Sequence, residues 1–399
     1  MGNSVNDIVW KINWIKPILC SFNALMSRSP ISVVRLNITL LLRLLLFIPI
    51  NTPKNMLNWV FISYYRKDLL KDFDAICANL YPKYTKVQIN PYQRFTIVNL
   101  KVSDLIFSWK EASKIILPIS TQCKSTFLAK IFIFLSIMNG IKLIRFLERK
   151  KVRINSLLST MEMQTVENIL IQYFRLCGAK TFAYQHGFYR DTGDVITRDN
   201  SNPVNYLAAV SETALVWGYA TKKIINKYTS QIAVPVGKAT LLGETTTSSN
   251  NNVLKKTKII LILDSIQQLD LNTNIVKAIC KSLGKENFVY YIPHPDDKYD
   301  YSQFGATITS HKQINQEECT LIGCNSSAIL QYGKMGSKIF LYEMSDFIVH
   351  GKSSKNLCNF FEFNGLKFVE VGCNFWDYYV YKYGDDCFQL IRKELDSHG

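Results

Sequence analysis

The fold is constrained most by an alternation of short apolar runs and amphipathic segments, which is clearest in residues 320–343. The sequence TLIGCNSSAILQYGKMGSKIFLYE predicts a strand, a tight turn, a helix, a glycine-containing turn and a second strand. Asn325, Ser326 and Ser327 stand where the helix should begin. Free N–H groups and the helix dipole favour negative charge at such a position, so we expect a phosphate-binding turn. The alternative is that Ser326 only caps the helix.

A second signal lies upstream, where the apolar run Phe288–Ile292 ends in Pro293-His294-Pro295. Ligands of open parallel sheets bind beyond the carboxyl ends of the strands, so His294 and the serine turn are expected to face one ligand. We predict that this ligand is a nucleotide mono- or diphosphate. Glu343 stands at the end of the strand that follows the serine turn and its helix, and it is a candidate acceptor for ribose hydroxyl groups. The alternatives are a turn histidine and a surface carboxylate.

The alternation of strands and helices continues on both sides of a polar segment, residues 244–257. Before it, residues 154–184 read as a βαβ unit that ends in Gln185-His186-Gly187. A chain of 399 residues is long enough for two domains. We predict a basic acceptor-side α/β domain over residues 1–243, a linker, and a nucleotide-binding α/β domain over residues 258–399. The expected fold class is α/β, with two Rossmann-like domains that face a cleft.

Other segments are assigned by the same patterns. The predicted strands are Trp59–Ser63, Lys86–Asn90, Phe95–Val98, Ile154–Ser159, Lys180–Tyr184, Ala214–Trp217, Val234–Val236 and Lys258–Leu263. The predicted helices are Arg66–Leu80, Ser125–Glu148 with a break near Asn139-Gly140, Thr165–Cys177, Ala220–Tyr228 and Asn274–Leu283.

The positive charge of the chain is concentrated in its first part. The net charge is +16, yet residues 258–399 contain 14 Lys and Arg against 17 Asp and Glu. Residues 1–257 therefore contain 33 basic and 14 acidic residues, a net charge of +19. Such an asymmetry predicts an anionic partner, either a membrane surface, a lipid-phosphate acceptor or an acidic polymer. No nucleic-acid-binding signature accompanies it, so no nucleic-acid partner is expected.

Two stretches of this basic part are candidates for contact with a membrane. The apolar run Leu36–Pro49 is too short to span a bilayer, but it could lie in the interface with Arg35 and Arg43 reaching toward water. The basic cluster over residues 142–153 follows a long apolar helix and suits an anionic surface. A buried helix and a solvated helix end are the alternatives.

Cysteine usage and the N-terminus indicate the compartment. Ten cysteines are scattered without a C-x-x-C pair, which favours a reducing environment. The first apolar run begins late and has no small-residue cleavage site, so no secretory signal is expected. We expect a cytoplasmic protein that is peripheral on the inner face of the cell membrane.

Three short motifs, taken in order, resemble those of bacterial GT-B transferases of surface polysaccharides. They are His186-Gly187 at a strand end, His294 between prolines, and Ser326-Ser327 at a helix start. Two branches are similar: sialyltransferases and polysialyltransferases that use CMP-linked acid sugars, and teichoic-acid transferases that use CDP-linked glycerol or ribitol. The likeness covers about residues 154–343.

The resemblance implies a role for each matching residue. His294, Ser326 and Ser327 would bind the donor phosphate, and His186 matches the proposed base of the polyol-phosphate branch. The sialyltransferase branch has an acidic residue immediately before the glycine, whereas this chain has Gln185-His186-Gly187. Asp191 is a second candidate base, and the choice between the two stays open.

The chemistry of transfer to a hydroxyl group requires a base, stabilisation of the leaving phosphate, and exclusion of water. Imidazole suits the first task near neutral pH. Glu162, Gln185 and Gly187 are the candidate acceptor-side residues. For His186 the alternative is a core or loop histidine bonded to a backbone carbonyl, with Gly187 allowing the close approach of the backbone. No DxD motif stands in a metal-binding context, so we expect neither a metal nor another cofactor beyond the nucleotide donor.

These observations predict a glycosyltransferase that moves a sugar from a nucleotide donor, CMP- or CDP-linked, to a glycan or lipid-linked acceptor of a bacterial capsule, O-antigen or lipo-oligosaccharide. A CDP-polyol phosphotransferase of the same fold is the first alternative. A non-catalytic nucleotide-sugar-binding protein or a peripheral membrane protein is the second.

Overall fold

The structure is a computed structural model, and it describes most of the chain. The described residues are 5–18, 30–45, 58–62, 67–88, 102–120, 126–159, 162, 164–185, 187, 189, 208–240, 258–264, 268–283, 289–295, 297–310, 319–334, 338–343, 345, 357–371 and 373–397.

The first part of the chain forms a series of helices and strands among these residues. They are α1 (Val5–Lys11), α2 (Pro30–Leu45), β1 (Asn58–Ile62), α3 (Lys67–Leu80), β2 (Thr85–Gln88), α4 (Val102–Ser120), α5 (Phe127–Arg149), β3 (Ser156–Ser159), α6 (Thr165–Leu176), β4 (Lys180–Tyr184), β5 (Thr213–Val216), α7 (Tyr219–Tyr228) and β6 (Ile232–Pro235).

The second part contains the remaining elements. They are β7 (Lys258–Ile262), α8 (Leu269–Leu283), β8 (Val289–Ile292), a 3-10 turn (Ser302–Phe304), β9 (Thr307–Ile308), β10 (Cys319–Gly323), α9 (Ser327–Lys334), β11 (Lys338–Tyr342), β12 (Leu357–Phe363), β13 (Leu366–Val371), α10 (Cys373–Asp377) and α11 (Asp385–Ser397).

The first sheet is parallel throughout, in the order β2-β1-β3-β4-β5-β6. Its central strands β3 and β5 are buried along their whole length, as expected when helices cover both faces of a parallel sheet. This burial fits the sequences SLLS and TALV, in which neighbouring residues that point to opposite faces of the sheet are both apolar. All the carboxyl ends of the strands therefore lie at one edge.

The second sheet has the order β12-β13-β11-β10-β7-β8-β9. Strands β11, β10, β7, β8 and β9 are parallel, and the antiparallel hairpin β12-β13 closes one side. The hairpin turns at Asn364 and Gly365, which both have positive φ. The expected α/β class with two Rossmann-like sheets is confirmed.

Several predicted boundaries agree with the structure. Strand β4 occupies the predicted residues Lys180–Tyr184, and the strand–helix–strand order of residues 320–343 is found as β10, α9 and β11. The first sheet ends at Pro235 and the second begins at Lys258, on either side of the predicted linker. The linker itself and the strand predicted at Phe95–Val98 lie outside the described residues, so the domain boundaries stay a prediction.

The helix break predicted near Asn139-Gly140 is wrong, because α5 continues unbroken through both residues. The Asn139 side chain donates hydrogen bonds to the carbonyls of Leu135 and Leu40, at 2.8 and 3.2 Å. An added Cβ on Gly140 would lie 2.3 Å from Cδ1 of Ile169 in α6. This glycine therefore allows two helices to pack closely rather than ending one of them.

The C-terminal segment, residues 373–397, returns to the first sheet. The N–H of Tyr381 donates to the carbonyl of Trp217 at 2.8 Å, and the N–H of Lys238 donates to the carbonyl of Lys382 at 2.8 Å. Helix α11 reaches α3, where Nε of Arg392 donates to the carbonyl of Asn79 at 3.0 Å. One apolar core accordingly contains side chains of both sheets and of the C-terminal helices.

Helices α2 and α4 both pack against α5. Among the described residues, α5 is the one helix that is long and apolar enough to cross a membrane, and 61% of its most apolar window is buried inside the protein. Burial of that extent is also found in core helices of globular proteins. Length and composition therefore give only weak evidence of a membrane span.

Candidate functional site

Polar residues gather at the carboxyl edge of the second sheet. Asp264 follows β7, Asp297 follows β8, Asn325 follows β10 and Ser345 follows β11. Ligand sites of open parallel sheets lie at this edge. The side chains of Asp264, Asp297 and Ser345 are buried. Burial is unusual for aspartate and requires compensating hydrogen bonds.

Asp264 and Asn325 are joined directly. Both carboxylate oxygens of Asp264 lie 3.1 Å from the backbone nitrogen of Asn325, whose N–H they accept. Asn272, in the first turn of α8, fixes the Asp264 backbone on the other side: its amide donates to the Asp264 carbonyl at 3.0 Å and accepts the Asp264 N–H at 3.1 Å. The ends of β7 and β10 are thus tied to the start of α8.

Asp297 extends this arrangement to the end of β8. Its carboxylate accepts the Tyr301 hydroxyl at 2.7 Å, the Tyr299 N–H at 2.9 Å and the Asn272 amide at 3.4 Å. Burial, followed by the hydrogen bond to Asp297, raises the pKa of Tyr301 above its ordinary range. Tyr301 therefore remains a neutral donor to a buried carboxylate at physiological pH.

The turn before α9 is held by Ser345. The hydroxyl of Ser345 lies 2.6 Å from the carbonyl of Cys324, to which it donates, and 3.3 Å from Oδ1 of Asn325. The space behind the turn is closed, because an added Cβ on Gly323 would lie 2.1 Å from Cδ1 of Ile329. The conformation of the turn is thus determined by its buried surroundings.

Ser326 and Ser327 stand at the predicted place. Ser326 is half-buried and immediately precedes α9, and its carbonyl accepts the N–H of Ile329 at 3.1 Å. Ser327 is the first residue of the helix, and its side chain lies outside the description. A donor phosphate at this turn would meet the N–H groups at the amino end of an eight-residue helix.

His294 and Glu343 lie at the same edge of the sheet as Asn325. His294 is half-buried beyond β8, and its carbonyl accepts the N–H of Asp297 at 2.9 Å. Glu343 is half-buried beyond β11, and its N–H donates to the carbonyl of Lys367 at 3.0 Å. The structure thus brings the predicted donor-side residues to one sheet edge, while their roles in binding stay predictions.

At the first sheet, Gln185 connects two strand ends. Its side-chain oxygen accepts the N–H of Trp217 at 2.6 Å, and its amide donates to the carbonyl of Gly187 at 2.7 Å. This buried side chain therefore holds the turn after β4 against the end of β5. His186 and Asp191 lie outside the described residues, and their roles stay predictions.

Glu162 is buried, and both of its carboxylate oxygens accept hydrogen bonds from residues of the first domain. One carboxylate oxygen accepts the N–H groups of Val210 and Ser211, both at 2.9 Å, and the other accepts the amide of Gln231 at 2.9 Å. These partners precede β5 and β6, on the side away from the carboxyl edge. The contacts are those of a residue that anchors a loop, and the acceptor-side role stays a prediction without a supporting contact.

Sequence reasoning missed Asp264, Asn272, Asp297 and Ser345. A signal was present for the two aspartates, because each follows an apolar strand within a few residues. The contact between Asp264 and Asn325 could not be predicted, since the two residues are 61 positions apart in the sequence. Only the sheet order, which places β7 beside β10, brings them together.

An open cavity of about 870 Å³ lies where the C-terminal segment meets the start of α7. Its wall includes tyrosines of both parts, and the rings of Tyr219 and Tyr381 meet edge to face at 5.3 Å. Asp377, Asp385 and Lys382 add charged groups. Of the predicted site residues that the structure describes, none lines this cavity.

Within the described part of the chain, no group of three or more His, Cys, Asp or Glu side chains could hold a metal ion. The buried aspartates of the second sheet instead accept hydrogen bonds from backbone, amide and hydroxyl donors. Independence from metals stays a prediction.

The site belongs to a protein built on two α/β sheets of mainly parallel strands, and solved structures with a related arrangement exist. A UDP-N-acetylglucosamine 2-epimerase from Rickettsia bellii is 11% identical over 70% of this chain and 77% of its own, with a TM-score of 0.39. The glycotransferase of kitacinnamycin is 9% identical over 72% and 80%, with a TM-score of 0.41. The calicheamicin glycosyltransferase is 7% identical over 72% and 79%, with a TM-score of 0.35. At these values the likeness carries no argument about function.

No protein-family model matches the chain, and no curated protein matches it.

Proposed function

We propose that this protein is a glycosyltransferase that moves a sugar from a nucleotide donor to a hydroxyl group of a glycan or lipid-linked acceptor. The observation that carries the proposal is the buried network under the turn before α9. Asp264, Asn272 and Ser345 hold that turn in one conformation, so its N–H groups are oriented before a ligand arrives. Preorganised donors of this kind stabilise a leaving phosphate at little cost in reorganisation.

In the proposed reaction, the acceptor oxygen forms a bond to the anomeric carbon while the bond from that carbon to the donor phosphate breaks. The proton of the acceptor hydroxyl passes to His186 or, alternatively, to Asp191. Ser326, Ser327 and His294 receive the negative charge that develops on the leaving nucleotide. Gln185 and Gly187, which flank His186 in the sequence, are joined by a hydrogen bond.

The donor that we propose first is a CMP-linked acid sugar, in the synthesis of a bacterial capsule, O-antigen or lipo-oligosaccharide. The basic first part of the chain suits an anionic, lipid-linked acceptor at the inner face of the cell membrane, because the net charge of +19 over residues 1–257 favours such a surface. A CDP-polyol phosphotransferase is a second candidate. It is favoured by the presence of His186, rather than an acidic residue, directly before Gly187.

The experiment is a transfer assay with CMP-, CDP-, UDP- and GDP-linked donors on glycan and lipid-linked acceptors, read by mass spectrometry. The proposal predicts a product with a cytidine-linked donor, and an added mass equal to a sugar or to a polyol phosphate separates the two candidates. Turnover only with a uridine or guanosine donor would contradict the cytidine assignment. Nucleotide binding without transfer to any acceptor would favour a non-catalytic binding protein.

A further inference from the structure

Helix α4 has its polar and apolar faces reversed. Asp104, Ser108 and Glu111 lie on its inner face and are at most 5% exposed. The outer face contains large apolar side chains that are 60–70% exposed: Val102, Ile106, Trp109 and Leu117. A helix on the surface of a globular protein in water has the opposite arrangement.

Ion pairs fix the rotation of α4. The carboxylate of Asp104 forms ion pairs with two arginines of α5. Nε of Arg145 lies 3.0 Å and Nη1 of Arg149 lies 2.7 Å from its oxygens. Trp109 also meets Phe134 of α5 edge to face, with ring centroids 4.9 Å apart. Rotating α4 to bury its apolar face would expose the apolar contacts that its inner face makes with the core. It would also separate Asp104 from the two arginines, and breaking a buried charge pair is costly. Contacts with α5 therefore hold α4 in the rotation that leaves its apolar face exposed.

A second apolar face lies on α2, which packs against the same helix α5. Its outward side chains are 40–69% exposed and include Ile31, Val34, Ile38, Leu41 and Leu42. We call these residues, with the four on the outer face of α4, the α2–α4 apolar surface. Large apolar side chains exposed in groups on two helices that pack against the same helix are typical of a surface that contacts another apolar medium.

The charges on these helices are of one sign where they are exposed. Helix α2 contains no acidic residue, and both acidic residues of α4, Asp104 and Glu111, are buried. Arg35 and Lys110 are exposed, and Nζ of Lys114 lies 5.8 Å from the ring centre of Trp10. Apolar side chains beside cations and aromatic rings are the pattern of helices that lie in the interface of an anionic bilayer.

We infer that the α2–α4 apolar surface docks on an anionic lipid bilayer, with the apolar side chains in the interface and Arg35 and Lys110 against the lipid phosphates. This inference rests on the membrane partner proposed above but not on the transferase reaction. Vesicle binding is measured without donor or acceptor, so its failure would leave the transferase proposal untouched.

The test compares binding of the full chain to vesicles of phosphatidylcholine with and without phosphatidylglycerol. Ile106→Asp with Trp109→Asp places charges on the outer face of α4 and is expected to lower the affinity for the anionic vesicles at least tenfold. Ile232→Asp with Ile308→Asp is the matched control, because these residues are 61% and 62% exposed on other elements. Circular dichroism checks that each variant remains folded.

A second measurement reads the depth of insertion. Brominated phosphatidylglycerol is expected to quench the tryptophan fluorescence of the wild type, and Trp109→Phe should remove a large part of that quenching. Equal vesicle binding by the two double variants would overturn the inference. So would binding without quenching, or sedimentation of the free protein as an oligomer that Ile106→Asp with Trp109→Asp disrupts, because a second copy would then cover this face.

Discussion

Both oxygens of the Asp264 carboxylate lie 3.1 Å from the backbone nitrogen of Asn325. This contact ties the end of β7 to the turn between β10 and α9. The first N–H group of the turn is thereby occupied by a buried carboxylate. A phosphate bound here would use the N–H groups that follow, at Ser326 and beyond.

Removing the Asp264 carboxylate should destabilise the second domain. Asp264→Ala leaves the half-buried Asn325 N–H without this acceptor, at a cost of roughly 1–3 kcal/mol. Asp264→Asn keeps one acceptor oxygen and should cost less. Urea unfolding measures both, with Asp270→Ala, an exposed carboxylate in the first turn of α8, as control. A loss at Asp264 no larger than that at Asp270 would contradict the structural role.

Gly237 should be indispensable for docking of the C-terminal segment. It has a φ of +96°, and an added Cβ would lie 2.0 Å from the Lys382 carbonyl oxygen. Gly178 has a similar φ of +90° but nothing within 4 Å of an added Cβ. Gly178→Ala should therefore cost only backbone strain, roughly 1–2 kcal/mol. Gly237→Ala should cost more and should expose residues 373–397 to limited proteolysis, whereas equal losses would refute the steric argument.

The stability of the helical N-terminal part should depend on pH through Lys142. Burial lowers the pKa of this lysine from 10.5 to about 8, and its ammonium donates to the carbonyl of Leu44. Between these two values the unfolded chain keeps a proton that the folded chain has released, so this group makes folding more favourable as pH rises. The free energy of unfolding of the wild type minus that of Lys142→Met should increase from pH 8 to pH 10. A constant or falling difference would contradict the assignment.

His186→Ala should lower turnover by roughly 10²–10⁴-fold, the usual contribution of a positioned acid–base group. Donor affinity should change little, because the donor is proposed to bind at the second sheet. His294→Ala is the contrasting variant and should weaken donor binding. Steady-state kinetics separate the two effects. A large loss in Asp191→Asn with little loss in His186→Ala would transfer the role of base to the carboxylate.

The sequence predicted those parts of the fold that local patterns determine. Both bounds of strand β4 were predicted correctly because Gly178, with its positive φ, ends the preceding helix and an apolar run follows. Gly140 was misread as a helix break because its close approach to Ile169 depends on a second helix. A glycine that ends a helix and one that admits a neighbour have the same local signature.

The candidate site was predicted in part for the same reason. His294, Asn325 and Ser326 follow strands, which is a local pattern, and the structure places them at one edge of the second sheet. The support from Asp264 and the return of the C-terminal segment depend on sheet order and on contacts between distant residues. Single-sequence patterns contain no information about such pairings.

Titration calorimetry of cytidine nucleotides tests the central claim, a donor-phosphate site at the turn before α9, most directly. The wild type should bind CMP or CDP, and Ser326→Ala with Ser327→Ala should weaken the binding at least tenfold. The reason is that hydrogen bonds to charged groups contribute roughly 1.5–3 kcal/mol each. Ser302→Ala with Ser397→Ala, two exposed serines elsewhere, should leave the affinity unchanged. An unchanged Kd in the folded Ser326/Ser327 double variant, or no saturable binding of either nucleotide to the wild type, would contradict the account.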